Sequence, residues 1–358
     1  MSNNKPYYSS LNLLRIVAVL AVISSHTSFG NPYNMASMGV LLFFSMSGYL
    51  ITDILLHQKN NITNFKDTLH SYKVFFSRRA LRIFPIYYLT LFLVKLFFAD
   101  SFSWETLGTW YYTYLANFHF LFVLEKFPGM YSHLWTLSVE EQFYLIWPWI
   151  IFLTPYKYLK HIILIFIASG PVSRLSFSLF YEGDPKLATK LFTVCNFDII
   201  GLGALMALKG KSVLASDFKS KKIIYSISSF CFVLYLISFK NDWPYYLVWT
   251  NSLLCISFFG LVLFFLRNDK KIAIPILSPL IYLGKISYGI YLYHSFVLAL
   301  VVKVYQKLSK YGTFSYPKSY VVFLLVSLIS IVIAHFSWIL LEKHILKLKV
   351  PYKEKSHK

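Results

Sequence analysis

The chain has 358 residues, 57% of them hydrophobic, 20% aromatic and only 14% charged, with a formal net charge of +20. A soluble domain carries about 25% charged residues, so this composition excludes a water-soluble globule and fits a polytopic membrane protein. The long unbroken apolar runs exclude a transmembrane barrel, and the Lys and Arg blocks between them read as topology charge, which sets nucleic acid aside as a partner.

Apolar runs occur at about 11–27, 37–56, 83–99, 107–124, 137–154, 161–180, 191–208, 222–239, 245–266, 286–305 and 319–341. Each approaches the ~20 residues that a helix needs to cross ~30 Å of hydrocarbon. No A-x-A site follows the first run, so it is expected to persist as a helix rather than be cleaved. Basic loops then orient the chain. Lys59, Lys66, Lys73, Arg78, Arg79 and Arg82 follow the second run. Lys209, Lys211, Lys219, Lys221 and Lys222 form another block, Arg267, Lys270 and Lys271 a third, and the tail ends with Lys343, Lys347, Lys349, Lys353, Lys355 and Lys358. All are expected inside, and the lysine-poor loops 28–36, 100–106 and 240–244 outside. Lys157 and Lys160 place their loop inside, so only one of 107–124 and 137–154 crosses fully. Residues 137–154 are expected to cross. Residues 107–124, with Trp110, Tyr111, Tyr112, Tyr114, Asn117 and His119, are expected to be re-entrant or interfacial.

The expected fold is therefore all-α: a polytopic membrane helical bundle of about ten transmembrane helices with both termini cytoplasmic. One bilayer domain spans 1–345 and a basic cytoplasmic tail 346–358. Cys195, Cys231 and Cys255 are widely spaced inside apolar runs. They form no disulfide framework or metal pattern, and no metal is expected.

Ionisable groups inside spans mark functional sites by default. Arg15 and His26 lie eleven residues apart in "LNLLRIVAVLAVISSHTS". Eleven steps of 100° bring them to one helix face, about 16 Å apart in rise. Snorkelling of Arg15 and an interfacial place for His26 are the plain alternatives. In "GVLLFFSMSGYLIT", Ser45, Ser47 and Gly48 form a small polar face, suited to helix packing or to approach by a ligand. Arg79 and Arg82, at i and i+3 in "FFSRRALRIFPIYYL", share a face if helical. They read either as topology charge or as a phosphate site, since guanidinium forks match phosphate oxygens. Glu140 and Glu141 sit at the edge of a span behind His133 and Trp135. "ISYGIYLYHSF" supplies Ser287, Tyr288, Tyr291 and His294, several of them on one stripe.

Taken in order, these segments resemble the acyltransferase-3 membrane family, bacterial integral-membrane proteins that move acyl groups, mostly acetyl, onto extracytoplasmic glycans. Arg15 and His26 match its arginine-x10-histidine pair, and Ser47-Gly48-Tyr49-Leu50 its second-helix pattern. Arg79 and Arg82 match its R-x-x-R stretch. Trp135, Glu140 and Phe143-Tyr144 match its W-S-L-x-x-E-x-Q-F-Y segment. "ISYGIYLYH" matches its late S-Y-x-x-Y-L-x-H pattern, and Glu342 its final-helix glutamate. The matches run from residue 11 to about 344. Asn12-Leu13 stands for the usual Asp-Gly, Thr136 for Ser, and Lys343-His344 for Arg-Pro. No hydrolase-like domain is expected within the chain.

The resemblance implies an O-acetyltransferase of the bacterial inner (plasma) membrane. It would use cytoplasmic acetyl-CoA as donor substrate, with no bound cofactor. The acceptor would be a hydroxyl of a cell-surface polysaccharide, such as lipopolysaccharide, or of a lipid-linked oligosaccharide; capsule and peptidoglycan stay open. His26 is the expected base or acyl carrier, with Glu140 orienting it or relaying its proton. Arg15, Arg79 and Arg82 are expected to hold the donor. Ser47, Gly48, Tyr49, Trp135, Tyr288 and His294 are expected to contact the substrate or the reacting carbonyl. The alternative is a polytopic transporter or lipid or glycan flippase.

Overall fold

The computed structural model describes residues 8–29, 34–98, 104–210, 217–241, 246–272, 274–310 and 317–352. Lys211, Lys353, Lys355 and Lys358 lie outside the described residues, as do parts of the three lysine-poor loops, 30–33, 99–103 and 242–245. No strand occurs among the described residues. That follows from the solvent, because backbone groups in hydrocarbon must be satisfied within their own segment.

The helices are α1 (Ser9–His26), α2 (Met35–Lys59), α3 (Phe65–Phe97), α4 (Trp104–Tyr112), α5 (Ala116–Phe122), α6 (Leu134–Leu153), α7 (Tyr156–Phe180), α8 (Pro185–Leu191), α9 (Phe197–Leu208), α10 (Phe218–Asn241), α11 (Tyr246–Arg267), α12 (Ser278–Lys285), α13 (Ser287–Ser309) and α14 (Ser319–Ser337). Eight are long and apolar enough to cross a membrane: α1, α2, α3, α7, α10, α11, α13 and α14. α8 and the segment Thr193–Leu208, bent by 70°, make up to a ninth. The sequence count of about ten differs at α6. At 20 residues it has the length to cross, but Glu140, Glu141 and Gln142 lower its hydropathy. Residues 107–124 form no single helix. α4 and α5, of 9 and 7 residues, are separated by a turn at Tyr114, whose φ is +55°. Neither is long enough to cross by itself.

α2 packs against α1, α6, α9 and α11, and α1 also packs against α12 and α13. Small residues permit the closest approach. A Cβ on Gly48 of α2 would run into the Ile200 carbonyl of α9, and one on Gly203 of α9 into the Ser45 carbonyl of α2. A buried ion pair ties α7, α9 and α11 together. Arg174 Nη2 lies 2.6 Å from Asp198 Oδ2 and Nη1 lies 3.0 Å from Oδ1, a fork-to-fork match. Ser252 Oγ donates to the same carboxylate at 2.7 Å. Arg174 Nε donates to the Val248 carbonyl at 2.9 Å, and Nη1 also reaches the Cys195 carbonyl. At one end of the bundle the start of the tail folds back onto α3. Arg78 Nη1 donates to the Val350 carbonyl at 2.7 Å, and its guanidinium lies 4.4 Å from the Tyr352 ring centroid.

Candidate active site

Two polar cavities meet inside the bundle. The first, of about 110 Å³, is lined by Arg15 of α1, Ser47 of α2, Arg79 and Arg82 of α3, Glu140 and Tyr144 of α6, and Tyr288 of α13. Helical spacing explains the arginines, since i and i+3 on α3 face the same way. Arg15 Nη1 donates to Asn12 Oδ1 at 2.9 Å. The Arg79 guanidinium lies 5.6 Å from the Tyr144 ring and 5.8 Å from the Phe75 ring, close enough for cation–π attraction. Arg82 Nη2 reaches the Lys285 carbonyl at 3.4 Å. Ser47 Oγ donates to Glu140 Oε1 at 2.6 Å, and Tyr288 OH donates to the Ile83 carbonyl at 3.1 Å. Three guanidiniums thus face one carboxylate, an excess of positive charge that suits a polyanionic group.

The second cavity, of about 240 Å³, is lined by His26, Ser132, His133, Trp135, Lys190 and Tyr291 among others. A third, of about 200 Å³, adjoins it through Ser37, Val40, Trp135 and Lys190, which line both. Val40 and Tyr291 line the first cavity as well as the second. They are the partition between the arginines and the histidines. The Tyr291 hydroxyl is held 2.7 Å from Thr136 Oγ1 and 3.3 Å from the His133 carbonyl.

The histidine tautomers follow from their partners. His294 Nδ1 faces the Tyr291 carbonyl at 2.5 Å, so it must carry the proton, which leaves Nε2 as an acceptor. His26 Nδ1 lies 2.9 Å from that Nε2 and therefore donates to it. His26 Nε2 keeps its lone pair on a side chain that lines the second cavity. This arrangement matches that of a catalytic imidazole held by a second group. His133 Nε2 donates to the Leu292 carbonyl at 3.1 Å, and its buried Nδ1 has no hydrogen-bond partner. The His133 and His294 ring centroids are 5.2 Å apart.

The structure brings Arg15, Arg79, Arg82, Ser47, Glu140 and Tyr288 to one cavity, and His26, Trp135 and His294 to or beside the other. Glu140 stands among the arginines with Ser47, and the side chain hydrogen-bonded to His26 is His294. Gly48 and Tyr49 do not line the first cavity. Gly48 faces the α9 backbone, and the Tyr49 hydroxyl lies 3.4 Å from that of Tyr8. Glu342 accepts from Ser337 Oγ at 3.1 Å within the π turn Trp338–Glu342. Sequence reasoning missed Lys190, which directly precedes an apolar run and carries no spacing signal. It also missed Arg174 and Asp198, charges inside spans that the cost of burial singles out. Among the described residues, no group of three or more His, Cys, Asp or Glu is arranged to hold a metal ion.

Comparison with known proteins gives a family match. The family described as "Acyltransferase domain" matches residues 8–339. The chain is similar to peptidoglycan O-acetyltransferase OatA of Listeria monocytogenes, 28% identical over 337 residues, covering 85% of this chain and 51% of that protein. It is 30% identical over 324 residues to the putative peptidoglycan O-acetyltransferase YrhL of Bacillus subtilis, covering 84% and 50%. It is 26% identical over 327 residues to O-acetyltransferase OatA of Staphylococcus aureus, covering 84% and 52%. The chain spans about half the length of these curated relatives. No solved structure matches.

Proposed function

This chain belongs to the acyltransferase domain family, and on that premise we propose that it moves an acetyl group from cytoplasmic acetyl-CoA to a glycan hydroxyl across the bacterial plasma membrane. Peptidoglycan is the favoured acceptor, because two of the relatives carry it in their names; it takes the place of lipopolysaccharide. The positive-inside bias of the basic blocks around Arg78–Arg82 supports a cytoplasmic place for that end of the bundle, with both termini. Arg79, Arg82 and Arg15 hold the CoA phosphates, and the pantetheine arm reaches toward the Val40–Tyr291 partition. His26 Nε2 takes the proton of the acceptor hydroxyl as its oxygen attacks the thioester carbonyl. The C–S bond breaks, and the proton passes to the leaving thiolate to give CoA. His294 holds His26 in the required tautomer and shares the charge of the imidazolium. Trp135 forms part of the acceptor wall.

The observation that carries this reading is the His26–His294 hydrogen bond set one residue layer from a cavity of three arginines. The test uses the purified protein in nanodiscs with acetyl-labelled acetyl-CoA and peptidoglycan fragments. Labelled ester on the glycan is expected from wild type and none from His26→Ala. CoA release with neither protein would defeat the reading and favour transport.

A further inference from the structure

Lys190 poses a problem that the mechanism above does not use. It lines both the second and third cavities, on the His26 side of the partition. The side chain is only partly exposed. An ammonium drawn into a bilayer-embedded cavity is costly unless it is paired. Among the described residues Lys190 forms no ion pair. Among the described residues no Asp or Glu lines either cavity, and Lys186 adds a second ammonium to the third. What Lys190 does have is the Phe127 ring, with Nζ 5.4 Å from its centroid, a contact that leaves the donors of the ammonium available. Its backbone is fixed, since Asn196 Nδ2 donates to the Lys190 carbonyl at 3.0 Å. Topology charge would sit at the surface in water and would not need to line a cavity shared with a histidine base.

We infer that Lys190 recognises an anionic group on the acceptor, a carboxylate or phosphate close to the hydroxyl that His26 deprotonates. This rests on the acyltransferase reading and adds the acceptor's charge class to it. One cavity of about 240 Å³ holds both Lys190 and His26, so the anion and the reacting hydroxyl belong to the same or adjacent sugars. Peptidoglycan offers such groups in the carboxylates of its peptide stems, and in the lactyl carboxylate of muramic acid wherever the stem is absent, since the stem otherwise holds that carboxyl as an amide. A diphosphate on a lipid carrier offers the same oxyanion chemistry from another source. Neutral glycans lack it and are disfavoured by the desolvation of an unanswered cation.

The test is equilibrium binding to the full chain in nanodiscs, with three probes. They are the N-acetylglucosaminyl-N-acetylmuramic acid disaccharide, its lactyl methyl ester, and polyprenyl-diphosphate-linked N-acetylglucosamine. Wild type is expected to bind the acid roughly 10- to 100-fold more tightly than the ester, as befits a charge-assisted contact. Lys190→Gln should remove the difference and Lys190→Arg should keep most of it. Acid and ester bound by wild type alone carry the test should Lys190→Gln fold poorly. If the diphosphate probe binds in a Lys190-dependent way and the disaccharides do not discriminate, the lipid carrier is the source of the anion. Equal binding of acid and ester, with no Lys190-dependent binding of the diphosphate, overturns the inference, as does discrimination that survives Lys190→Gln. Acid-selective, Lys190-dependent binding without acetyl transfer by wild type would keep Lys190 as an anion site and sink the acyltransferase reading.

Discussion

His26 and His294 are 268 positions apart, yet each matters only because of the other. A lone imidazole exchanges tautomers freely. One held by an acceptor at Nδ1 presents Nε2 as a base throughout. His294→Ala is therefore expected to lower acetyl transfer about 100-fold while leaving the KM for acetyl-CoA near wild type. Turnover assays with thermal unfolding as a control check this, and a matching rise in KM would count against it. Lys349, which feels the guanidiniums of α3, supplies a pH dependence on the arginine side. Burial, and then the Arg82, Arg79 and Arg78 guanidiniums, lower its ammonium to about 8. An unfolded lysine titrates near 10.4. The folded protein therefore loses this proton first, and stability gains as pH rises from about 8 toward 10.5. Binding of an anion runs the opposite way, because the charge that attracts phosphate is present below about 8 and lost above it. The KM for acetyl-CoA should rise between pH 7 and 9, and Lys349→Met should flatten that rise. Individually, Arg15, His26 and His294 were legible in the sequence as ionisable groups in apolar runs, and Arg79 and Arg82 as an i, i+3 pair in a basic block before one. Their grouping was not, since Glu140 pairs with Ser47 of α2 and His26 with α13 through contacts that no local spacing encodes.

Among the elements, α7, α9 and α11 depend on the Arg174–Asp198 pair. Removing one partner strands a charge in a dry interior, at a typical cost of about 3–5 kcal/mol. Asp198→Asn should accordingly lower the unfolding temperature in detergent sharply, whereas Arg174→Met with Asp198→Leu should recover part of the loss. An unchanged melting curve for Asp198→Asn would remove the pair from the stability account. Gly48→Val should separate α2 from α9 and reduce the amount of folded protein recovered from membranes. Most helices were readable from hydropathy, because spanning a bilayer imposes a length and an apolar character. α6 was harder, since it spends part of its length on Glu140, Glu141 and Gln142. The aromatic and polar mixture of 107–124 led to the expectation of a re-entrant or interfacial segment, whereas its division into two short helices at Tyr114 was not anticipated.

The molecule carries an arginine-lined cavity and a histidine-lined cavity on either side of Val40 and Tyr291, and the proposed orientation gives each an aqueous compartment. Single cysteines test it, against a background in which Cys195, Cys231 and Cys255 are buried. Arg78→Cys should react with an impermeant maleimide only in inverted vesicles, and Lys186→Cys only in intact cells. The reverse pattern would invert the bundle and detach the arginine cavity from cytoplasmic acetyl-CoA.

The layer formed by Val40 and Tyr291 has a bearing on bioenergetics. An unbroken aqueous path through the bundle would be a proton leak, and every turnover would drain the gradient that drives ATP synthesis. With a tyrosine pinned by Thr136 between the two chambers, only a two-carbon unit and the one proton that ends on the CoA thiol have to pass this layer in each turnover. The cost to the gradient is then one proton for each acetyl group transferred, not a standing leak.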